Sequence, residues 1–586
     1  MAALKDAVKA QSEGDSAHAA HLKHRYSRLL YRLAPGRVRT VQAICSHRGT
    51  HLRQPAEMAE ELRSYWSTVF TRIGIQHSAL EAWLADDAAF RATGPISSSQ
   101  YEDTPPSHAG LNSVRVSSWH IKKAIQRSGN SAVGPDGIPY AAWLTLSDEA
   151  VPILVDALNE LTGIKRVPVL DPNQVMDKYC RDFNESLMVF LPKTPVPGSP
   201  SDSPAYYPSA VRPLNVSNTD NRILASAVRM AVEPKLGPLI TNRQRGFIHG
   251  RSMIANLLDV EESMYTTAAT GSGGLSFFFD FEAAFPSVEH DSLHGFFAYL
   301  GWPSWLLQFI RCLYRGNICR LSLGGSLHQG FELIITRGIR QGCPLSPLLF
   351  AALSDLYLRR LDRLFPRSTI RAWADDPDAA PGLPALRAFF EELRSVTGLK
   401  LHPSKTVAVP LDPRSSWPTH RAGLRQLGTW ALFRMEGYTK YLGFMLGPER
   451  AEHSWDAPLE KFLDRARLWG RLGAGLFLTG MAYTIYIASV LMFVGQLEPL
   501  PSSFVDYEKR ACAALLPGPG NWISVEALKG LSSLGFPWSL RGIPSAVLAS
   551  KARVYEYEAA GRLHIWTRAY ALKNLVTTSA DFSRVA

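Results

Sequence analysis

Three aspartates placed directly after two apolar segments constrain this chain more than any other feature. Residues 277–279 are a run of phenylalanines that predicts a buried strand, and Asp280 follows it at once. Residues 370–373 are mainly apolar and lead into Asp375 and Asp376. Unpaired carboxylates are costly to bury, so acids at the ends of buried strands make sense when a divalent cation neutralises them. Two such cations, about 3.5 to 4 Å apart, serve in-line displacement at phosphorus.

Each acidic motif taken alone has an ordinary structural explanation. An Asp-Asp pair is common in a solvated turn, and an aspartate after an aromatic strand is often a capping residue. The segment between the two motifs argues against that explanation. Residues 337–347 place Gln341 and Gly342 in a turn, where a glycine lets the backbone approach a ligand closely. The Ser-Pro pair at 346–347 can then begin a helix over the apolar residues 348–353.

The order of these motifs resembles the reverse transcriptases, and within them the non-LTR (long interspersed element) retrotransposon type. Phe-Asp-Phe-Glu-Ala-Ala-Phe-Pro-Ser-Val is similar to motif A of that family, Arg-Gln-Gly-Cys-Pro-Leu-Ser-Pro to motif B, and Trp-Ala-Asp-Asp to motif C. The segments that carry the resemblance lie at 134–139, 191–193, 212–214, 244–251, 279–288, 340–347, 373–376, 398–406 and 441–443. One match is weak evidence, whereas nine in the expected order between about residues 131 and 446 are very hard to obtain by chance.

The resemblance implies a fold and its division into domains. We expect an α+β right-hand polymerase fold with fingers, a palm of antiparallel sheet and helices, and a helical thumb. A helical N-terminal extension is expected over residues 1–110, the fingers and palm over 111–447, and the helical thumb with the C-terminal region over 448–586. Apolar residues at helical spacing between 386 and 396 also predict a helix that ends at Gly398.

The activity implied by the resemblance is RNA-directed DNA polymerisation, a nucleotidyltransferase reaction. Asp280, Asp375 and Asp376 are then the catalytic residues, and the primer 3′-hydroxyl attacks the α-phosphorus of a deoxynucleoside triphosphate. The same aspartates and the carbonyl of Phe281 are expected to bind two Mg²⁺ ions, for which Mn²⁺ can substitute. The expected partners are an RNA template, a DNA primer and dNTPs, and the sequence names no protein partner.

The resemblance also implies residues that bind the nucleotide. Lys193 and Arg212 are expected to contact the triphosphate, and Lys405 is a candidate proton donor to pyrophosphate. Gln341 and Gly342 are expected to lie beneath the incoming base and the template. For the lysines alone, a solvated surface side chain is an equally ordinary explanation.

Phe285, five residues beyond Asp280, has two interpretations. In the resembled family this aromatic lies under the deoxyribose, where a ribose 2′-hydroxyl would collide with it, so the residue acts as a steric gate. Phe285 can equally continue the aromatic cluster of residues 277–281 as an ordinary core side chain. The small alanines at 283–284 leave room for a nucleotide and favour the gate.

Motif C departs from the family pattern in two places. Trp373 replaces the usual Tyr or Phe, and Pro377 follows the two aspartates directly. Proline lacks an amide hydrogen, so we expect the strand that returns after the acids to be disrupted. The alternative function is therefore a polymerase-shaped nucleic-acid-binding protein whose chemistry has decayed. A group II intron maturase is a weaker alternative, because the upstream motifs have the non-LTR form.

The composition is compatible with a nucleic-acid partner without requiring one. The chain has 586 residues, 46% of them hydrophobic, and a net charge of +11. That length can bury several cores, and the positive charge suits a polyanion. The six cysteines are scattered, which predicts reduced thiols. No endonuclease constellation and no signal-peptide pattern are visible, so we expect an intracellular protein of the nucleus or cytoplasm that is not secreted.

Residues 472–497 are uncharged and long enough to raise the membrane alternative. Glycine, threonine, tyrosine, serine and glutamine side chains interrupt the apolar residues, and charged segments flank the stretch on both sides. A fully buried helix gives the same hydropathy as a membrane span. We therefore expect this stretch to belong to the core of the thumb and the protein not to be a membrane protein.

Overall fold

The computed structural model describes most of the chain and divides it into two compact units. The described residues are 40–93, 108–129, 131–163, 180–200, 203–269, 274–324, 326–366, 368–373, 376–378, 382–412, 414–473, 475–519, 522–534 and 540–554. One unit, called the large unit here, comprises Val38–Val260 and Gly274–Met435. The other, called the small unit, comprises Met1–Arg37, Glu261–Gly273 and Glu436–Ala586. Residues 1–39 of the expected N-terminal extension lie outside the described set.

Strands and helices alternate irregularly along the chain, as in α+β proteins. The strands are β1 (Ala43–Cys45), β2 (His51–Leu52), β3 (Ser186–Pro192), β4 (Ala205–Tyr206), β5 (Val211–Ser217), β6 (Leu275–Phe278), β7 (Asn317–Leu323), β8 (Ser326–Ile335), β9 (Arg371–Trp373), β10 (Asp376–Asp378), β11 (Val407–Pro410), β12 (Arg434–Met435), β13 (Thr439–Tyr441) and β14 (Phe444–Leu446).

The helices of the large unit are α1 (Pro55–Phe70), α2 (His77–Thr93), α3 (Ser118–Arg127), α4 (Tyr140–Thr145), α5 (Ser147–Leu161), α6 (Thr219–Leu236), α7 (Met253–Ala269, which runs into the small unit), α8 (Ala284–Ser287), α9 (His290–Tyr299), α10 (Ser304–Tyr314), α11 (Ser346–Leu364), α12 (Leu383–Thr397) and α13 (Trp417–Arg425). Those of the small unit are α14 (Asp456–Gly470), α15 (Gly475–Ala482), α16 (Ser489–Met492), α17 (Phe504–Leu515) and α18 (Val525–Lys529).

A five-stranded sheet in the order β12-β11-β6-β10-β9 forms the centre of the large unit. Strand β6 runs antiparallel to both of its neighbours. The predicted aromatic strand is confirmed, because Phe277 and Phe279 are fully buried and their rings stack at 5.5 Å. Phe390 of α12 lies 4.6 Å from the Phe279 ring, so this helix covers one face of the sheet. Burial of these rings from water stabilises the sheet that carries Asp280.

Two helix boundaries follow the sequence pattern. Helix α12 ends at Gly398, which adopts a φ of +80° at the C-cap, as the apolar spacing predicted. Helix α11 begins at Ser346 with Pro347 in its first turn, and its residues from Leu348 to Leu353 are buried. Both helices therefore start or stop where local chemistry dictates.

A second sheet, β5-β3-β7-β8, packs against helix α1. Trp66 of α1 is 3% exposed, and its ring lies 6.5 Å from that of Phe190 in β3. A small third sheet, β2-β1-β4, pairs Ala43 in parallel with Ala205. The described part of the segment expected to be helical thus also contains strands. The sequence did not predict these strands, because two or three residues are too few to show an alternation of apolar and polar side chains.

The small unit contains the β13–β14 hairpin and a group of packed helices. Leu442 and Gly443 form the turn of the hairpin with φ values of +49° and +94°. A β-carbon on Gly443 would lie 2.6 Å from the Phe493 ring, so a side chain there would require that ring to move. Buried Arg450 pairs with Glu498 at 2.6 Å and with Glu261 at 2.8 Å, which compensates its charge.

The uncharged stretch is divided among short helical segments. Helix α15 passes into a π-helix at Tyr483–Ile487, and α16 follows. Tyr483, Ile487 and Leu491 are fully buried, whereas Leu478 is 38% exposed. No helix in the described part of the chain has the length and apolar character needed to cross a bilayer.

The Gly-Pro-Asp-Gly turn at residues 134–137 packs on the start of α6. The Asp136 amide donates to Asn218 Oδ1 at 3.2 Å, and Thr219 Oγ1 donates to the Ile138 carbonyl at 2.9 Å. Asp220, next along the helix, has a pKa raised to about 6, first because it is buried and also because the Asp136 charge lies nearby. The Asn221 amide, which donates to Asp220 at 2.5 Å, partly opposes that shift.

Asp220→Asn should stabilise the protein at neutral and alkaline pH. The pKa of Asp220 in the folded protein lies above its ordinary value of 3.8, so protonated Asp220 supports folding below about pH 4 and this support is lost as pH rises through 6. The variant should exceed the wild type by up to ~3 kcal/mol at pH 8 and match it at pH 4. Urea unfolding at both pH values measures the difference; an equal gap at both would contradict it.

Candidate active site

The end of β6 fixes the backbone of Asp280 and leaves its carboxylate accessible. The Asp280 carbonyl accepts a hydrogen bond from the His402 amide at 2.7 Å, and the Asp280 amide donates to Thr406 Oγ1 at 3.5 Å. Phe279 immediately before it is 1% exposed, whereas the Asp280 side chain is 33% exposed. The strand therefore presents one acid at the boundary between an aromatic core and solvent.

The β9–β10 hairpin brings the second acidic motif to the same sheet. Asp378 pairs with Phe278 in antiparallel register, and continuing this register by two residues aligns Asp376 with Asp280. Asp375 lies outside the described residues, and only the backbone of Asp376 is described. Within the described set, no group of three or more histidine, cysteine or acidic side chains is arranged to bind a metal. The backbone register is thus what joins the two acidic motifs.

Pro377 does not prevent the returning strand from forming, so the expected disruption is wrong for β10. Pro377 stands opposite Ala372 of β9. The backbone groups of Ala372 point away from β10. The Ala372 amide donates to the Arg243 carbonyl at 2.7 Å, and the Ala372 carbonyl accepts from the Arg245 amide at 3.1 Å. The Pro377–Ala372 pair therefore needs no hydrogen bond donated by the proline. The missing amide hydrogen costs this hairpin no hydrogen bond between its two strands.

Charged side chains surround the end of motif A. Lys405 Nζ lies 3.7 Å from Asp280 Oδ2, and the Lys405 side chain is 64% exposed. The exposed Lys405 amine is therefore within reach of the Asp280 carboxylate. Nearby, Lys400 Nζ lies 2.9 Å from Glu282 Oε2. Burial raises the pKa of Tyr65 on α1, and the charge of Glu282 adds to the shift.

Glycines hold the motif B turn against β5 and motif A. Gly342 has a φ of +115°, and a β-carbon there would overlap the Asn215 carbonyl oxygen. The Asn215 amide donates to the Gln341 carbonyl at 2.8 Å, so the two backbones are in direct contact. Gly338 has a φ of +97°, and its β-carbon would lie 2.6 Å from the Pro286 carbonyl oxygen. Only glycine fits at both positions.

The expected triphosphate ligands share one face of the β3–β5 hairpin. Arg212 pairs with Leu191, and Lys193 lies two residues further along that strand, still hydrogen-bonded across the hairpin. Paired residues on neighbouring strands share a face of the sheet, and so do residues two apart on one strand. Lys193 and Arg212 therefore both lie on the face of Leu191. Both are exposed. Leu214 continues this face, and a β-carbon on Gly342 would lie 3.3 Å from it. The face thus leads to the motif B turn.

Phe285 is half-buried between two other aromatic rings. Its ring stacks on Phe350 of α11 with centroids 4.6 Å apart and an interplanar angle of 13°. The ring of Phe247 meets it edge-on at 5.8 Å and 87°. The stacking of Phe285 on Phe350 is typical of a core side chain, whereas its partial exposure is needed for a steric gate. Both interpretations of Phe285 therefore remain open.

Two residues that organise the site were not found from the sequence. Asn215 is 4% exposed and donates from Nδ2 to Cys319 Sγ at 2.8 Å, while its backbone holds the motif B turn. A polar residue within a predicted strand was the available signal. Phe247 adopts a φ of +66°, and no sequence pattern indicates that backbone conformation.

Comparison with known proteins agrees with this geometry. Residues 192–446 match the family model described as reverse transcriptase (RNA-dependent DNA polymerase). The chain is 29% identical over 308 residues to a Pol polyprotein from the type-1 retrotransposable element R2 of Nasonia vitripennis, covering 50% of this chain and 27% of that protein. It is 28% identical over 309 residues to the type-2 R2DM polyprotein of Drosophila melanogaster, covering 50% and 26%.

A third relative is a 149 kDa protein of transposon TX1 from Xenopus laevis, 27% identical over 174 residues and covering 28% of this chain and 13% of that protein. The sheet, the motif order and these matches define a reverse transcriptase domain over residues 192–446. The similarity of this domain to the R2 and TX1 proteins confirms the resemblance to non-LTR retrotransposon reverse transcriptases seen in the sequence. The chain spans about a quarter of the length of the R2 polyproteins it matches.

Proposed function

We propose that this chain is an RNA-directed DNA polymerase that adds deoxynucleotides to a primer 3′-hydroxyl. The position of Asp280 carries the proposal. Its carboxylate is 33% exposed at the end of the central strand, and continuing the β10–β6 register by two residues would bring Asp376 across from it. Asp280, Asp375 and Asp376 are the proposed catalytic groups.

The donor atoms fit divalent cations. Carboxylate and carbonyl oxygens are the ligands that Mg²⁺ prefers, and Mn²⁺ accepts them too. Phe281 and Leu401 form an antiparallel β-bridge whose hydrogen bonds come from the residues on either side. The Glu282 amide donates to the Lys400 carbonyl, and the His402 amide donates to the Asp280 carbonyl. The Phe281 carbonyl therefore points to the other edge of its strand.

Asp280, Asp375, Asp376 and the Phe281 carbonyl would together hold two Mg²⁺ ions. When bound, the ions neutralise phosphate charge and favour ionisation of the attacking hydroxyl. Lys405, 3.7 Å from Asp280, is the proposed proton donor to the leaving pyrophosphate. A protonated amine can supply that proton without itself binding the metal.

The nucleotide would bind on the hairpin face, next to the motif B turn. Lys193 and Arg212 supply two exposed cations on one face, which suits a triphosphate. Gln341 and Gly342 would lie beneath the incoming base and the template, in the turn that Gly342 allows to pack closely on β5. The RNA template would be read by base pairing and held through its backbone, which suits a chain of net charge +11.

In this proposal the parts of the chain take the names of a right-hand polymerase. The five-stranded sheet with α11 and α12 is the palm, the β5-β3-β7-β8 sheet belongs to the fingers, and the helices of the small unit form the thumb. The expected domain limits, 1–110, 111–447 and 448–586, remain a proposal. The compact units divide instead at Val38 and between Met435 and Glu436.

Primer extension on an RNA template, with dNTPs and Mg²⁺, tests the proposed function. A labelled DNA primer annealed to RNA should lengthen only when protein, dNTPs and metal are all present. Gel-shift binding of the same hybrid should be measured in parallel. Binding without extension would contradict the polymerase proposal and favour the decayed nucleic-acid-binding protein instead.

Phe285→Ala should raise ribonucleotide incorporation relative to deoxyribonucleotide by about 10- to 100-fold, the range that a steric pocket change produces. The smaller side chain removes the collision with a 2′-hydroxyl. Single-turnover kinetics with dNTP and rNTP on one primer–template measure the ratio. Phe285→Tyr keeps the ring and should keep the wild-type preference. A folded, active Phe285→Ala enzyme with unchanged sugar preference would refute the gate.

A further inference from the structure

Phe247 has a backbone conformation that its side chain disfavours. Its φ is +66°, in the left-handed region that bulky residues rarely occupy. The side chain is also 37% exposed, although it is a large apolar ring. Strained residues of this kind persist only where the surrounding structure forces them, and they cluster at functional sites.

Arg251 is the first part of the frame that forces this conformation. Its guanidinium donates to four backbone carbonyls of the preceding loop, those of Gly237, Ile240, Thr241 and Gln244. One charged group thereby closes the loop that leads to Phe247, and charge-assisted hydrogen bonds are stronger than neutral ones.

Buried polar contacts complete the frame on the side of Gln244. Gln244 is fully buried, donates from Nε2 to Ser354 Oγ at 2.6 Å, and accepts from the Gly246 amide at 2.8 Å. The Arg245 side chain pairs with Asp259 at 2.7 Å. The residue before Phe247 is thus tied to helix α11 through Gln244.

The same loop is bonded directly to the motif C strand. The Arg245 amide donates to the Ala372 carbonyl at 3.1 Å, and the Ala372 amide donates to the Arg243 carbonyl at 2.7 Å. Strand β9 is therefore hydrogen-bonded to the segment that immediately precedes Phe247. A shift of the acidic hairpin would be transmitted to this ring.

The Phe247 ring contacts the one aromatic side chain that the proposed function assigns to sugar selection. It meets Phe285 edge-on at 5.8 Å and 87°, while Phe350 stacks on Phe285 at 4.6 Å. Phe350 belongs to a buried core helix, so it supports Phe285 from the protein interior. Phe247 supports it from a partly exposed position.

We infer that Phe247 is a positioning residue that fixes the Phe285 ring and thereby sets the preference for deoxyribose over ribose. This inference rests on the proposed function. A ring held by Phe350 alone can tilt about its stacking plane, and an edge-on partner removes that freedom. In this strained conformation the Phe247 ring meets Phe285 edge-on.

Paired substitutions separate the ring from the backbone strain. Phe247→Ala removes the ring and keeps a β-carbon at φ +66°, whereas Phe247→Gly removes the ring and relieves the strain. Phe247→Tyr keeps the ring. Ala451→Gly is the matched control, because Ala451 is another non-glycine residue at positive φ, +40°, in the small unit.

The readouts are the thermal midpoint and the ratio of kcat/KM for dNTP and rNTP. Phe247→Ala and Phe247→Gly should both lose about three- to tenfold of sugar discrimination, the worth of an edge-on aromatic contact. The glycine variant should melt above the alanine variant. Phe247→Tyr and Ala451→Gly should retain wild-type discrimination.

Two results would overturn the inference while leaving the polymerase proposal intact. Unchanged discrimination in a folded, active Phe247→Gly enzyme would show that the ring does not position Phe285. Loss of discrimination in the alanine variant but not in the glycine variant would assign the effect to strain. A wild-type protein that extends no primer would overturn the proposed function itself, and this inference with it.

Discussion

Asp280→Asn should lower primer extension by about a thousandfold or more, because it would remove a proposed ligand of metal ions that supply several kcal/mol to the transition state. The amide keeps the shape of the side chain but loses its charge and one metal-binding oxygen. The backbone contacts with His402 and Thr406 do not involve the carboxylate, so folding should persist. Single-turnover extension on an RNA template measures the loss, and fluorescence anisotropy of the labelled hybrid should show nearly unchanged binding.

Asp291→Asn is the matched control for that experiment. Asp291 is an acid of the large unit with a side chain 32% exposed, against 33% for Asp280, and it pairs with Arg72. Neutralising it changes the net charge equally without touching the proposed site. Extension should stay close to wild type. Wild-type extension by Asp280→Asn would show that the chemistry does not depend on this carboxylate.

Gly342→Ala should lower extension by about a hundredfold, because displacement of reacting groups by about 1 Å has that effect. A β-carbon at Gly342 would overlap the Asn215 carbonyl, so the motif B turn must move away from β5. The φ of +115° adds conformational strain that alanine cannot relieve. Steady-state extension and thermal unfolding report the two effects separately.

Gly301→Ala provides the comparison for that substitution. Gly301 also has a positive φ, +75°, but its β-carbon would meet nothing within 4 Å. It should lose only ~1 kcal/mol of stability from the backbone conformation and should retain extension. Equal behaviour of the two variants would mean that close contact with Asn215 has no functional role.

Local chemistry accounts for the parts of the fold that the sequence predicted. The phenylalanine strand before Asp280, the start of α11 at Ser346 and the end of α12 at Gly398 each depend on a few neighbouring residues. A continuous apolar run, a helix-opening Ser-Pro pair and a left-handed glycine are sufficient signals for these. The motif order then indicated the class of protein.

Long-range backbone pairing accounts for what the sequence did not predict. The effect of Pro377 on its hairpin depends on whether the backbone groups of Ala372 point toward β10 or toward the loop at Arg243. No local sequence pattern predicts that direction. The same holds for Asn215, whose backbone reaches Gln341 more than a hundred residues away. The conformation of Phe247 is set by contacts from several elements rather than by its own propensity.

The docking of α1 on the second sheet governs how this chain can fold during its synthesis. Trp66 and Phe70 belong to an apolar cluster with Leu321 and Ile335, so the cluster is incomplete until residue 335 has been made. At about 5–20 residues per second, that delay is roughly 15 to 55 s after α1 leaves the ribosome. During this interval the apolar face of α1 lacks the part of its sheet that β7 and β8 provide and is partly open to association with other nascent chains. Slower translation would lengthen that exposure, and a chaperone that binds apolar helices would shield it.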